Sequence, residues 1–335
     1  MNQKHQTFIC TEFQLGSPKG IATRVYGGRG GSFMWRVNTE KGSYAIKQLA
    51  SFIDLKNEKV ITKYELSETI AYRFIQLGIP AISAIKRSGK HLIIIEDTGY
   101  LVYPWVEAYS LSRNEISESH ALKIAEIIAK LHCINLSVPE IKSPHVDIHI
   151  NDRIIEAIDK SVSFKCPFVK TLKKNQSLIL SMNDNYQAII PLLLEHTVIT
   201  HGDLDQLNIL WDKKDQPILI DWESVRKLNP TREIVRTSLD WSGFGTKDFS
   251  LPLYAHMLHR YNESGGTLNR SHANAALYSL VGSGINWMLY NIELACENEV
   301  PSIRDTAIKE INWTILTMIR LEILFPDLLK ITVEK

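Results

Sequence analysis

Apolar and polar residues change their spacing along the chain, and the change divides it. Over the first hundred residues short β-prone runs alternate with turns. Arg24–Tyr26 precedes the glycine-rich stretch Gly27-Gly28-Arg29-Gly30-Gly31-Ser32, and Phe33–Asn38 and Ser43–Leu49 then flank a polar turn at Thr39–Gly42. Two such runs around a polar turn predict a hairpin. From Glu58 to Leu77 the residues Ile61, Tyr64, Glu65, Glu68, Ala71, Tyr72 and Ile75 recur at steps of three and four. That spacing predicts a helix, ended by Gly78 and Pro80. His91–Glu96 and Tyr100–Tyr103 read as two further strands.

Beyond this point the pattern is mostly helical. Ser117 is placed to cap a helix running to about Ile134, with Leu122, Ala125, Ile128 and Leu131 on one face. Further helices are expected near Asp152–Asp159, Lys170–Ser181, Tyr186–Glu195, Phe249–Tyr261, Ser271–Glu297 and Ile303–Phe325, the last stopped by Pro326. In their midst lie three short apolar runs, Val198–Thr200, Ile209–Trp211 and Ile218–Ile220, separated by polar loops. The chain thus reads as α+β, a strand-rich part over residues 1–103 and a helix-rich part over 104–335, divided near Tyr103–Glu107.

Composition narrows the function classes. The 335 residues carry 38 Lys and Arg against 37 Asp and Glu, a net charge of +1. That balance argues against a general nucleic-acid binder, which shows a basic excess or stripe. Cys10, Cys133, Cys166 and Cys296 form no CxxC pair, so free thiols are expected rather than a zinc or dithiol redox motif. The first residues lack a continuous apolar segment of the secretory kind. No apolar run approaches the ~18–20 residues a membrane span needs. A cytoplasmic protein with no membrane partner is expected, as a monomer or dimer.

The chemistry concentrates in His201-Gly202-Asp203-Leu204-Asp205-Gln206-Leu207-Asn208 and in Ile218-Leu219-Ile220-Asp221-Trp222-Glu223. Two strands hold a loop and deliver Asp203, Asn208 and Asp221 to one place. A carboxylate with a carboxamide oxygen suits Mg²⁺, a hard ion that shares its shell with water and phosphate. Asp203 is then left to orient an attacking hydroxyl and accept its proton, the division of labour that phosphoryl transfer requires.

These two segments resemble the catalytic signature of the aminoglycoside phosphotransferase and choline kinase superfamily, relatives of the protein kinases. HGDLDQLN is similar to its HxDxxxxN loop and LIDWE to its metal-binding strand end. The resemblance implies a bilobal protein-kinase-like fold, with a small antiparallel nucleotide-binding lobe over 1–103 and a larger helical catalytic and substrate-binding lobe over 104–335. It implies that Asp203 is the catalytic base, that Asn208 and Asp221 bind Mg²⁺, and that His201 is structural. Tyr44-Ala45-Ile46-Lys47 resembles the kinase V-A-I-K strand, with Lys47 on the α- and β-phosphates of ATP or GTP. Gly28, Gly30, Gly31 and Ser32 would cover the triphosphate. Glu68 is the expected acidic partner of Lys47, with Glu65 one turn earlier as the alternative. Leu101–Glu107 resembles the hinge, where the Pro104 carbonyl and the Val106 amide would meet the purine. Tyr103 falls at the gatekeeper, where bulk biases a site toward GTP. His132 is read as structural.

The acceptor implied is a small hydroxyl compound: an aminoglycoside or another antibiotic, choline, ethanolamine, homoserine, methylthioribose or a ketosamine. Several acids lie near or after the loop, namely Asp205, Glu223, Glu233, Asp240, Glu293, Glu297 and Glu299. A cationic acceptor needs a carboxylate-lined cleft. Asp205, Glu233, Asp240, Trp287, Asn291 and Glu293 are the expected acceptor residues. Glu233, Arg236 and Asp240 are spaced for one helix face, and Asn229-Pro230 stands where the family often has Gly-Asp-Pro. Three readings follow: an antibiotic-resistance kinase for a cationic amino sugar, a metabolic kinase for choline, ethanolamine, homoserine or a sugar, and a kinase-like binding protein without turnover.

Overall fold

A computed structural model of the protein describes residues 1–25, 31–142, 144 and 146–334. In chain order the first elements are α1 (Gln3–Glu12), β1 (Thr23–Val25), β2 (Phe33–Thr39), β3 (Gly42–Gln48) and α2 (Glu58–Gln76). Then come β4 (Leu92–Ile95), β5 (Thr98–Pro104), β6 (Ala108–Ser110), α3 (Glu118–Ile134), α4 (Asn151–Ser163) and α5 (Val169–Leu193). The middle holds β7 (Val198–Thr200), β8 (Ile209–Asp212), β9 (Pro217–Leu219) and β10 (Arg226–Leu228). The remainder is α6 (Pro230–Trp241), α7 (Leu251–Glu263), α8 (Ala273–Glu297) and α9 (Pro301–Val333).

Contacts divide the chain into two compact units, Met1–Ile116 with His201–Val225, and Ser117–Thr200 with Arg226–Lys335. The contact division therefore falls at Ile116/Ser117, later than Tyr103/Pro104, and gives the motif-bearing hairpin to the first unit. The physical cause is pairing. β6 is hydrogen-bonded to β8 in a three-stranded sheet of order β6-β8-β9, and Leu219 exchanges backbone hydrogen bonds with the segment after α2, at Pro80 and Ile82.

The first unit is built on an antiparallel five-stranded sheet of order β1-β2-β3-β5-β4. Strand residues alternate between its faces. Ile46, Tyr100 and Val102 pack with Ile9, Cys10 and Phe13 of the α1 region, while Leu49 and Leu101 pack with Tyr64 of α2. By the same alternation Lys47 lies on the α2 face. Helix α1 carries no clear apolar period because polar contacts fix it. The His5 ring bonds to the Tyr100 hydroxyl at 2.8 Å, and the Gln6 amide bridges Gly20 and Ala22.

The second unit is helical, with a two-stranded ladder of β7 and β10. Ser117 does cap α3, accepting from His120 N. Two expected boundaries are corrected. The predicted break between Ser181 and Tyr186 is absent and α5 runs through it. Its polar Asn183 is fully buried and donates to the His149 carbonyl at 2.7 Å and to Asn151 at 2.8 Å, so tertiary partners replace a turn. Pro326 does not stop α9, which continues to Val333. An interior proline costs about 3 kcal/mol. Full burial of Leu328 and the 2.6 Å hydrogen bond between Thr332 and Tyr254 hold the last turns in place against that cost.

Gly282 marks the tightest approach of α8 to α5: a Cβ there would lie 2.2 Å from Tyr186 Cζ. The Tyr186 side chain is fully buried and its hydroxyl donates to the Asp147 carbonyl at 2.7 Å, so it cannot swing aside freely. Gly282→Ala is expected to lower stability by about 1–3 kcal/mol, the range for overpacking, measured as a lower urea midpoint at unchanged slope. An unchanged midpoint would show that the two helices separate at no cost. No helix among the described residues is long and apolar enough to cross a membrane.

Candidate active site

The loop between β7 and β8 is braced before it is chemical. His201 is fully buried. Its Nε2 donates to the carbonyl of Ile220 at 2.9 Å, and its ring lies 4.6 Å from that of Trp222. Trp222 is itself buried and stacks on Phe74 of α2 at 5.4 Å. The start of the loop is thereby tied to the end of the β9 strand run. Asp205 caps the short helical turn Gln206–Asn208, accepting from the amides of Leu207 at 2.8 Å and Asn208 at 3.2 Å.

Those restraints present three polar side chains. Asn208 Nδ2 donates to the Asp203 carbonyl at 2.9 Å and to Asp203 Oδ2 at 3.0 Å, fixing both the backbone and the carboxylate of that residue. Ile220 N donates to Asn208 O at 3.0 Å, so Asn208 lies opposite the residue that precedes Asp221. Asp221 adopts φ +62° and ψ +65°. A non-glycine residue there costs about 1–2 kcal/mol, a strain that concentrates at functional sites.

Lys47 completes the cluster. Its Nζ donates to Asp221 Oδ1 at 3.0 Å and forms an ion pair with Glu223 Oε1 at 2.5 Å. Burial disfavours the ammonium, but the two carboxylates outweigh it and hold the Lys47 pKa above the ordinary lysine value. Lys47 is therefore a fixed cation beside Asp221.

The expected acidic partners of Lys47 are corrected. Glu68 is buried on α2, where Oε1 accepts from the Tyr103 hydroxyl at 2.7 Å and Oε2 from Ala84 N at 2.6 Å. Glu65 accepts from the amides of His91 and Leu92, each at 2.9 Å. Both carboxylates hold the connection from α2 to β4, and Glu223, two residues after Asp221, takes the place next to Lys47. The signal for it was available in the spacing of the LIDWE segment, where Asp221 and Glu223 flank the buried Trp222.

Burial pushes the Glu68 pKa from 4.5 up to about 7, against the opposing hydrogen bonds from Ala84 and Tyr103. Between those values the folded chain holds a proton that the unfolded chain releases, so this group lowers stability as pH rises from 4.5 to 7. Glu68→Gln keeps an acceptor for Ala84 N and a donor for the Tyr103 oxygen. It is expected to be more stable than the parent above pH 7, by up to about 3 kcal/mol, with the gain shrinking toward pH 4.5. Urea denaturation at several pH values checks this, and a gain independent of pH would contradict it.

The nucleotide-side residues are placed as follows. Gly28 and Gly30 lie outside the described residues. Gly31 has φ +75°, and a Cβ there would meet Phe52 at 3.1 Å, so the backbone after the glycine-rich stretch needs glycine. Ser32 Oγ accepts from Ala50 N at 3.2 Å, which ties it to the chain after β3. Tyr103 is tied to α2 through Glu68. Pro104 ends β5 opposite Tyr44, and the Val106 carbonyl accepts from Ala108 N at 3.1 Å.

Among the acceptor residues the structure changes the picture in the second unit. Glu233 is buried, and its Oε2 lies 2.8 Å from His132 Nε2, whose Nδ1 lies 2.8 Å from the Tyr261 hydroxyl. The first turn of α6 packs on α3, so Glu233 is a core partner of His132 and not a surface carboxylate. Asp240, two turns further along the same face, is half-exposed and lies 3.9 Å from Arg236. Asn291 is buried and donates to the Trp287 carbonyl at 2.8 Å within its own helix, so it does not face an acceptor. Trp287 is 39% exposed, stands beside Tyr290 at 5.6 Å and donates from Nε1 to Glu310. Glu293 is exposed, six residues on and therefore turned away from the Trp287 face. Asp205, in the first unit, is committed to its cap.

The family described as choline/ethanolamine kinase matches residues 68–229, a span that holds Asp203, Asn208 and Asp221. Comparison of folds extends the likeness to nearly the whole chain. A spectinomycin phosphotransferase, solved with ADP and spectinomycin, is 14% identical with a TM-score of 0.71, over 96% of this chain and 99% of that one. The catalytic segment thus matches the choline/ethanolamine kinase family, and the fold is one shared with aminoglycoside phosphotransferases. Two further solved structures share the fold. An aminoglycoside phosphotransferase from Alicyclobacillus acidocaldarius is 14% identical over 94% of this chain and 95% of its own, with a TM-score of 0.64. The choline kinase of Streptococcus pneumoniae is 15% identical over 95% and 99%, with a TM-score of 0.60. At these identities the structural likeness is one of fold. Comparison with curated protein sequences gives no significant match. The family match over residues 68–229 and the shared fold are both those of small-molecule phosphotransferases.

Proposed function

We propose that this phosphotransferase moves the γ-phosphoryl of ATP or GTP to a hydroxyl of a small amino-bearing acceptor of the aminoglycoside type. The observation that carries the reading is the pairing of Asp203 with Asn208 in the same unit as the Lys47–Asp221 contact. Asp203 Oδ2 is held by an amide proton, which leaves its other oxygen to orient the acceptor hydroxyl and take its proton. Lys47, kept cationic by its carboxylate neighbours, binds the phosphates. His201 positions the loop.

The donor set fits Mg²⁺. No cluster of three or more His, Cys, Asp or Glu side chains suited to a metal occurs among the described residues. Mg²⁺ in phosphoryl-transfer sites takes one or two carboxylates and completes its shell with phosphate and water. Asp221 and the amide oxygen of Asn208 would hold it. Bound there, the ion would neutralise negative charge on the phosphoryl donor.

The acceptor reading rests on the fold shared with the spectinomycin phosphotransferase and on Trp287 with Tyr290 and Glu310, an aromatic surface with an acid able to hold a cation. Such an enzyme would act in the cytoplasm and raise antibiotic resistance. The second reading is a metabolic kinase for choline or ethanolamine, favoured by the family that matches the catalytic segment. A mass-shift screen of hydroxyl compounds with ATP and with GTP, with and without Mg²⁺, tests both. Phosphorylation of an aminoglycoside-type compound supports the first. Failure with every antibiotic and success with choline or ethanolamine selects the second.

A further inference from the structure

Cys166 and Cys296 lie 130 positions apart in sequence, yet their sulfurs are 3.6 Å apart in the second unit. Cys166 sits in the short connection between α4 and α5, and Cys296 in the last turn of α8. Both are partly exposed, whereas Cys10 is buried in the first unit. A disulfide bond is about 2 Å long, so the sulfurs need approach by only about 1.6 Å to bond. We propose that Cys166 and Cys296 form a reversible disulfide that staples the end of α8 to the α4–α5 connection when a peroxide is present.

The 3.6 Å approach of the two sulfurs sets up the chemistry. Burial and then the neighbouring Cys166 sulfur push the Cys296 pKa up to about 12. One sulfur of the pair attacks first, as its thiolate. The thiolate bonds to one peroxide oxygen, the O–O bond breaks, and the leaving hydroxide takes a proton to become water. The other cysteine next attacks the sulfenic sulfur, its proton leaves with the displaced hydroxide as a second water, and the S–S bond forms. Two thiols are oxidised by two electrons and one peroxide is reduced to two waters. Lys160, ion-paired to Glu297 at 2.6 Å, places a positive and a negative charge together beside Cys296.

The consequence is mechanical. A crosslink that closes so long a loop restricts the unfolded chain strongly. It also fixes the end of the helix that carries Trp287 and Tyr290, fewer than three turns before Cys296.

The test treats the full chain with hydrogen peroxide, quenches free thiols and maps peptides without reduction. The expected result is an intact mass lower by two hydrogens, a peptide pair joining Cys166 to Cys296, and a higher melting temperature that reverts with dithiothreitol. Cys10→Ser with Cys133→Ser should leave the crosslink intact, while Cys166→Ser and Cys296→Ser should each abolish it. Reduced native protein should bind phenylarsine oxide, a probe for paired thiols, one per chain, and lose that binding in Cys166→Ser. Linkage through Cys10 or Cys133, sulfinic acid without a crosslink, or no mass change overturns the proposal. The arsenical titration keeps the test decisive if a serine variant fails to fold.

Discussion

Replacing Asp203 with alanine is expected to reduce phosphoryl transfer by about 10²–10⁴-fold, the range for loss of a positioned general base, and to leave nucleotide affinity largely unchanged. Asp203 makes no contact with Lys47 in the site; its partner is Asn208, through both the carbonyl and Oδ2. Removing the carboxylate therefore strips proton acceptance from the acceptor hydroxyl and leaves the phosphate-binding cation in place. Single-turnover transfer together with nucleotide titration separates the two effects. A variant that retains parental turnover on a true acceptor would remove Asp203 from the mechanism. Asp203→Asn sharpens the test, because it preserves size and polarity while losing basicity, and it should be equally impaired.

Asp221→Asn should be comparably severe for a different reason. The proposed ion site has one carboxylate and one amide oxygen, so the substitution removes its only formal negative charge. Metal stabilisation of transferring phosphate is worth several kcal/mol, and about 4 kcal/mol corresponds to a factor of ~10³ in rate. The variant also loses the charge of the partner that Lys47 holds at 3.0 Å, while the Glu223 carboxylate at 2.5 Å remains. The expected signature is a large rise in the Mg²⁺ concentration needed for half-maximal transfer, together with lower kcat. A loss of turnover with an unchanged Mg²⁺ requirement would show that Asp221 serves Lys47 alone.

The positions that the sequence made legible are those whose chemistry is local. In the catalytic loop a capping aspartate, a buried histidine and an asparagine are separated by a few residues, and their hydrogen bonds run within that segment or to Ile220, across the hairpin. The helix over 58–76 was visible because its apolar residues recur on one face. The partner of Lys47 was less legible. Glu68 has the right spacing on α2, but Ala84 N and the Tyr103 hydroxyl claim its two oxygens, and neither donor is near it in sequence. Glu233 was misread for the same reason, since His132 lies a hundred residues away and only the packing of α6 on α3 buries the pair. Helix α1 escaped the pattern because His5 and Gln6 are buried through specific hydrogen bonds rather than apolar period.

The sequence by itself determined the α+β class, the sheet strand bearing Lys47, and the order Asp203, Asn208, Asp221 along one hairpin. Each depends on periodicity or on spacing within a few residues, and the chain's local geometry converts these directly into position. The tertiary structure alone decided which carboxylate neutralises Lys47, which expected acceptor residues are core, and that two cysteines meet. Those outcomes depend on long-range competition for a limited number of buried donors and acceptors. A buried polar group must find a partner, and which partner wins is set by the packed fold.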